Sequence, residues 1–422
     1  MHSVTNAIPT GTIASIPAKA HAHRALICAA LATSPSTILL SRTSKDIDAT
    51  MDSLRGLGAH VVYENKVVTV TPGPVPAKGN VVPHESGTTL RLLLPVAASI
   101  CNDVDVDAKG RLPDRPLEPM LGEMKAHGVT FSQDKPPFTM TGRLQGGNFA
   151  MVGDVSSQFF SGLLLAAPQI GLSTITSTTP LQSSDYVTLT TETMRDFGVE
   201  VEHTLPDTDI NEAFTVPFGA SFIGRDNYQI EGDWSNAAIW MVAAGMTGKP
   251  ITITGMNKNS VQADRRIMQV MIDAGCDVVW DGMNVTVTGR ASKPIHADLE
   301  QMPDMLPVMA ALACSISGES AFVKGARLRL KESDRLIAVA NLVRDLGGTV
   351  REEGDDLYII GSGILKGGHG DCVNDHRLVM AGTLMALISE NPVTLQDSEA
   401  ITKSYPDFFE DWNLLGGNAQ PL

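Results

Sequence analysis

The chain has 422 residues, 43% hydrophobic and 19% charged, which is long enough for two or three domains with their own cores and too apolar for disorder. Its formal net charge of -15 argues against a general nucleic-acid binder, which needs a basic face. Basic residues that converge in such an acidic chain stand out as a site for a small anion.

The longest apolar runs, such as "ALICAALA" and "LLLPVAASI", are far shorter than the roughly 18–20 residues that span a bilayer. The five cysteines, Cys28, Cys101, Cys276, Cys314 and Cys372, are odd in number and form no C-x-x-C pair. That argues against a disulfide framework or a structural zinc site. The opening "MHSVTNAIPTGTIASIPAK" lacks a basic stretch followed by an apolar one, so no signal peptide is expected. A reducing cytoplasm is the expected location, with no membrane partner.

Along the chain, two kinds of predicted helix alternate. "RALICAALA", behind Lys19, is apolar on nearly every face and so reads as a buried helix. "MDSLRGLGAHVVYENKVVTVT" follows: an amphipathic helix, then Gly58, then a β-rich segment. The pair recurs as "TLRLLLPVAASI" behind Ser86-Gly87, then "MLGEMKAHGVTFSQDKPPFTMTG" with Gly128. It recurs as "QFFSGLLLAAP" behind Ser156-Ser157, then "TMRDFGVEVEH" with Gly198. After "VPFGASFIGRDNYQI" come "NAAIWMVAAG" behind Asp233–Ser235 and "VMIDAGCDVVWDGMNVTVTG" with Gly275. "MLPVMAALACSI" behind Pro303-Asp304 precedes "NLVRDLGGTVREEGDDLYIIG" with Gly347. "RLVMAGTLMALIS" behind Asp375-His376 precedes "FFEDWNLLGG" with Gly416.

The marker glycines are spaced 70, 70, 77, 72 and 69 residues apart. Helices often end on a left-handed residue that glycine adopts without penalty, which explains its place there. Six repeats of one buried helix, one surface helix and several strands predict a layered α/β (α+β) fold. The long interval of 77 places a crossing between two domains of three repeats near "VPFGASFIGRDNYQI".

The polar clusters before the buried helices read first as N-caps. Capping does not account for Lys19, Arg24, Arg91 and Arg377, because cations are unfavourable near a helix start. A helix N-terminus attracts anions, so these cations point to one nearby. "GRLPDRPLEP", "RLRLKESDR" and "ITKSYPDFF" add Arg111, Arg115, Arg327, Arg329, Lys331, Arg335 and Lys403.

The blocks "AKAHAHRALICAALA", "ESGTTLRLLLPVA", "GRLPDRPLEPML", "GDVSSQFFSGLLLAAP", "SSDYVTLTTETM", "PDMLPVMAALA", "LRLKESDRL", "NDHRLVMAGTLMAL" and "KSYPDFFEDWNLLGG" span nearly the whole chain. In this order they resemble the 5-enolpyruvylshikimate-3-phosphate synthase family. The resemblance implies a two-domain inside-out α/β barrel of six βαβαββ repeats, three per domain. One domain, 18–227, is expected to bind mainly shikimate 3-phosphate. The other, 1–17 plus 228–422, is expected to carry Asp304, Glu332, Arg335, Arg377 and Lys403. The implied reaction moves the enolpyruvyl group of phosphoenolpyruvate onto the 5-hydroxyl of shikimate 3-phosphate, with no metal and no cofactor, in a monomer. The family is also the target of glyphosate, a phosphoenolpyruvate mimic.

Carried over by position, Lys19, Gly87, Arg115, Gln158, Arg335, Arg377 and Lys403 are the expected phosphoenolpyruvate contacts. Lys19, Ala20, Arg24, Ser156, Ser157, Gln158, Ser183, Tyr186, Asp304 and Lys331 are the expected shikimate 3-phosphate contacts. Asp304 resembles the base for the attacking hydroxyl and Glu332 the group that exchanges a proton with C3. Lys19, His376 and Lys403 complete the expected catalytic set, the last two beside the leaving phosphate.

The chain departs from the family pattern at Ala18-Lys19-Ala20, where Ser-Lys-Ser is common. A hydroxyl at position 20 that would bond the shikimate phosphate is missing, which predicts weakened binding of that substrate. His21 is new beside it, either compensating or facing solvent. Glu85 and Arg327 stand where Asn is often found, and Leu92 is unusual in its helix. Two other readings compete: a paralogue acting on another phosphorylated cyclic alcohol, and the sister transferase acting on UDP-N-acetylglucosamine. The sister usually has a Cys in the loop matching "GRLPDRPLEP", where this chain has none.

Overall fold

A computed structural model describes residues 1–207 and 211–422. The chain divides into two compact units, Pro17–Ile230 and the combination of Met1–Ile16 with Glu231–Leu422.

In the Pro17–Ile230 unit the helices are α1 (Lys19–Ala30), α2 (Lys45–Gly56), α3 (Gly87–Ile100), α4 (Met120–Ala126), α5 (Ser157–Ile170) and α6 (Asp185–Asp196). In the other they are α7 (Trp234–Thr247), α8 (Ile267–Asp273), α9 (Leu306–Ser315), α10 (Arg335–Asp345), α11 (His376–Ala386) and α12 (Phe408–Leu414). The odd-numbered helices are those read as apolar all round. Every residue of α9 and α11 is buried, and they pack on each other and on α7. Likewise α1, α3 and α5 pack on one another, so helices form the centre of each unit.

Among the described residues the strands make six separate sheets of four. One repeat shows the plan. Gly79–Val81 pairs parallel with Asp103–Val106, which pairs antiparallel with Phe138–Thr141, which pairs antiparallel with Thr130–Phe131. The parallel pair needs a crossover, and α3 supplies it. The chain order is therefore βαβαββ, as expected.

Three repeats complete this plan with a distant strand. Tyr228–Gln229 pairs parallel with Ser36–Leu39 and serves the sheet over α1. Gly11–Ala14 pairs parallel with Ile251–Thr254 and serves the sheet over α7. His2–Val4 lies antiparallel between Val393–Gln396 and Ala419–Pro421 and closes the last sheet.

The six marker glycines each follow the C-cap of an even-numbered helix, with φ of +104, +98, +90, +100, +87 and +94 degrees from Gly58 to Gly416. A Cβ at Gly58 would lie 2.3 Å from the Pro74 carbonyl oxygen, whereas at Gly416 the nearest atom, the Ile8 carbonyl oxygen, is 3.6 Å away. Gly416→Ala should therefore cost about 1–2 kcal/mol for the backbone conformation alone. Gly58→Ala should cost distinctly more, because backbone must also move. Thermal melting of the two variants checks this, and equal losses would remove the steric part of the account.

Candidate functional site

In the Pro17–Ile230 unit the predicted residues gather at the starts of the buried helices. Ser86 caps α3 by accepting from the Thr89 N–H, and Ser156 caps α5 by accepting from the Gln158 N–H. The start of α1 has no such side-chain cap. Lys19, its first residue, places Nζ 2.7 Å from Asp46 Oδ2 in the first turn of α2. Thr89 Oγ1 donates to the Asp46 carbonyl, so the starts of α1, α2 and α3 are tied together. His23 and Thr50 extend the same network, with 2.6 Å between His23 Nδ1 and Thr50 Oγ1.

Arg24 is buried one turn into α1. Its guanidinium donates to Thr190 Oγ1, Ser161 Oγ and the carbonyls of Ala20 and Tyr186, at 2.6–3.2 Å. All of these partners are neutral. Burial lowers its pKa to about 10, well inside the range where it stays charged at neutral pH. A buried cation with only neutral partners is stabilised by any anion that reaches it.

Gln158 accepts from Arg91 Nη1 at 3.1 Å and donates to Thr88 Oγ1 at 2.9 Å, linking α5 to α3. Arg91 also donates to the Pro116 carbonyl, which anchors the Arg115 loop beside the start of α3. A Cβ at Gly87 would lie 2.5 Å from Arg115 Nη1. Gly87→Ala should therefore displace Arg115. Ser156, Ser157 and Ser183 are buried, and Ser183 holds a left-handed backbone at φ +54 degrees. Its carbonyl accepts from the Tyr186 N–H at the start of α6.

One expectation is corrected here. His21 does not face solvent: it is 9% exposed, and its Nε2 lies 2.8 Å from Tyr228 Oη, which donates to Asp196 Oδ2 at 2.8 Å. Burial pushes its pKa down to about 4, so it is neutral at pH 7. Leu92 is fully buried in α3, and Glu85 packs against Gly110 in the loop that leads to Arg115.

In the other unit, Asp304 lies in a 3-10 turn, Pro303–Met305, just before α9 and does not cap it. Arg335 opens α10 and is the hub. It donates to Asp304 Oδ1 and Glu332 Oε2 at 2.6 Å each, and grips both oxygens of Asp375 at 2.8 and 3.2 Å. Lys331 Nζ lies 2.9 Å from Asp304 Oδ1. Asp375 caps α11 by accepting from the Arg377 N–H and also accepts from Ser333. Lys403 donates to the Asn374 carbonyl at 2.7 Å, and His376 is buried beside Asp375. Arg377 donates to the Ser235 carbonyl at the start of α7.

Burial pushes the Asp304 carboxyl up, but Lys331, Arg335 and Arg377 outweigh it and hold it well below the ordinary carboxylate range. Burial lowers Lys331, with Asp304 opposing. Burial opposes the charge on Arg335, and the carboxylates of Asp375, Glu332 and Asp304 more than restore it.

Every predicted site residue thus sits in one of two sets, each within one unit. Asp304, Lys331, Glu332 and Arg335 touch directly, while Lys403, His376 and Arg377 join through Asn374 and Asp375. Arg24 meets Tyr186, and Gly87 meets Arg115. Sequence reasoning missed Asp46 and the role of Asp375. Asp375 had a signal, a capping Asp directly before a His-Arg pair, but its grip on Arg335 spans 40 residues of sequence.

The family model described as EPSP synthase (3-phosphoshikimate 1-carboxyvinyltransferase) matches residues 7–412. The chain belongs to the EPSP synthase family. A relative named 3-phosphoshikimate 1-carboxyvinyltransferase from Clostridium kluyveri is 36% identical, covering 96% of this chain and 95% of its own. Relatives of the same name from Methanocorpusculum labreanum and Pyrococcus abyssi are each 34% identical, covering 97% and 95% of this chain and 97% and 94% of their own. A solved EPSP synthase from Acinetobacter baumannii shares the family fold at a TM-score of 0.80 and 22% identity, covering 100% of this chain and 99% of that one. Among the described residues no helix is long and apolar enough to cross a membrane.

Proposed function

We propose that the chain transfers the enolpyruvyl group of phosphoenolpyruvate to the 5-hydroxyl of shikimate 3-phosphate and releases phosphate. The observation that carries this reading is the cluster in which two carboxylates, Asp304 and Glu332, share the buried Arg335 at 2.6 Å each, with Lys331 on Asp304. Addition and elimination need two acid–base groups, and both substrates bring negative charge. Carboxylates held among cations meet both needs.

The 5-hydroxyl oxygen bonds to C2 of phosphoenolpyruvate as its proton passes to Asp304, while C3 gains a proton from Glu332. In the second half Glu332 takes a proton back from C3, the C2–O bond to phosphate breaks as the leaving phosphate takes up the proton first passed to Asp304, and the enolpyruvyl ether forms. Asp304 is a weak base while Lys331, Arg335 and Arg377 face it. Substrate phosphate and carboxylate groups on those cations reduce their pull and raise its basicity toward the working range. Arginine suits Arg115, Arg335 and Arg377, because a planar fork meets carboxylate and phosphate through paired donors. Lys19, Gly87, Gln158 and Lys403 complete the phosphoenolpyruvate contacts. Lys19, Ala20, Arg24, Ser156, Ser157, Gln158, Ser183, Tyr186, Asp304 and Lys331 serve shikimate 3-phosphate. Lys403 and His376 attend the leaving phosphate. The protein works as a cytoplasmic monomer without metal or nucleic acid.

Phosphate release from purified protein, with both substrates supplied over a wide range, tests this reading. Turnover dependent on both substrates is expected. Folded protein without turnover at any concentration would instead favour a paralogue with another cyclic alcohol.

A further inference from the structure

We propose that Asp264 is a positioning residue for Arg377 and so sets affinity for phosphoenolpyruvate; the proposal rests on the function given above. Asp264 lies in a 3-10 turn, Ala263–Arg266, outside every matched motif, and is 1% exposed. Carboxylates are rarely so buried without a task. Ser235, in the first turn of α7, donates its hydroxyl to Asp264 Oδ2. The carbonyl of the same Ser235 accepts from Arg377 Nη1 at 3.1 Å. A continuous chain thus runs from Asp264 through Ser235 to the guanidinium.

That carbonyl is the one hydrogen-bond acceptor for the Arg377 guanidinium among the described residues, and its Nε is buried with no partner. One end of the fork is fixed by α7 while donor capacity remains for a ligand carboxylate. Charged groups that act on Asp264 include Asp304 from the turn before α9, Arg377 from α11 and Asp233 from the cap of α7. Burial, then Asp304, push its pKa up to about 6, and Arg377 pulls it down. Asp264 and Arg377 therefore feel each other electrostatically as well as through Ser235. Fixing the guanidinium before the ligand arrives lowers the ordering cost of binding.

The test uses Asp264→Asn and Ser235→Ala in the full chain. Both should raise half-saturation for phosphoenolpyruvate roughly five- to tenfold, a modest loss of one anchoring hydrogen bond. Turnover at saturation and half-saturation for shikimate 3-phosphate should stay within about twofold, because Arg377 is assigned to the other substrate. Asp264→Asn should melt no lower than the wild type at pH 7, since it removes a carboxylate that burial disfavours. Thermal stabilisation by phosphoenolpyruvate alone, read in the same proteins, gives the effect without turnover. Wild-type kinetics with both variants indistinguishable from it would overturn the positioning role alone. Equal losses for both substrates with a lower melting temperature would also overturn it, as plain destabilisation. A wild type that neither turns over nor is stabilised by phosphoenolpyruvate would overturn the reading of the site, and this role with it.

Discussion

Arg335→Ala should cost the protein about 3–5 kcal/mol of stability as well as its activity, because it breaks buried ion pairs by removing one partner. The side chain of Arg335 is 2% exposed and that of Asp375 is 0% exposed. Without the guanidinium, the hydrogen-bond donors left to the Asp375 carboxylate among the described residues are Ser333 and the Arg377 N–H, and Asp304 keeps Lys331. Desolvation of Asp375 is then poorly offset. Arg335→Lys separates the two losses. It keeps a charge in the pocket and should restore much of the stability. A single ammonium cannot reach Asp304, Glu332 and both oxygens of Asp375 as the fork does, so turnover should stay at least a hundredfold down. Denaturant melts by circular dichroism, with phosphate release on the same samples, give both numbers. An alanine variant that melts with the wild type would show that the carboxylates do not depend on Arg335. The pH dependence carries the same sign. Asp304 is depressed in the folded state, so its contribution is present at neutral pH and is lost as pH falls through and below the ordinary carboxylate range. That acid loss should be smaller in Arg335→Ala, which lacks part of the depressing charge.

What the sequence made legible follows from the range of the forces involved. Gly58 and its five counterparts were visible because a helix end imposes a backbone angle on one residue, a local demand that repeats with the fold. The buried helices were visible because α7, α9 and α11 have no polar face to show. The strand His2–Val4 gives no such signal: three residues pair with partners near 393 and 419, and nothing local prescribes that. The candidate site divides in the same way. Lys19, Arg24 and Arg377 could be singled out because cations are misplaced at helix starts. Asp264 could not, because its meaning depends on Ser235, 29 residues away, and on Arg377 beyond it. His21 was misread because its partners, Tyr228 and Asp196, come from the far end of the same unit, on a borrowed strand and at the end of α6.

Ala20→Ser should lower half-saturation for shikimate 3-phosphate about tenfold or more with little change in turnover at saturation. The argument begins at the N-terminus of α1. The helical ladder starts with the Ala22 N–H donating to the Ala18 carbonyl, and Ala18 offers no side chain to cap the turn before it. Such a start favours an anion. Arg24 lies one turn further, its hydrogen-bond partners among the described residues all neutral, and its Nη1 donates to the Ala20 carbonyl. Under the assignment proposed above, position 20 is where a hydroxyl would meet the phosphate of shikimate 3-phosphate. A hydrogen bond to a charged group is worth about 1.5–3 kcal/mol, and each 1.4 kcal/mol is tenfold in affinity. The helix itself loses only about 0.5 kcal/mol on changing Ala to Ser, too little to cancel the gain. His21 does not already supply what Ala20 lacks, since its Nε2 is taken up by Tyr228 and burial keeps it neutral with a pKa near 4. The discriminating control is His21→Ala, which should leave the gain from Ala20→Ser intact. If serine brings no tighter binding, the phosphate does not touch this position, and the low affinity expected of the wild type must come from elsewhere, with Glu85 beside the Arg115 loop as the next residue to replace.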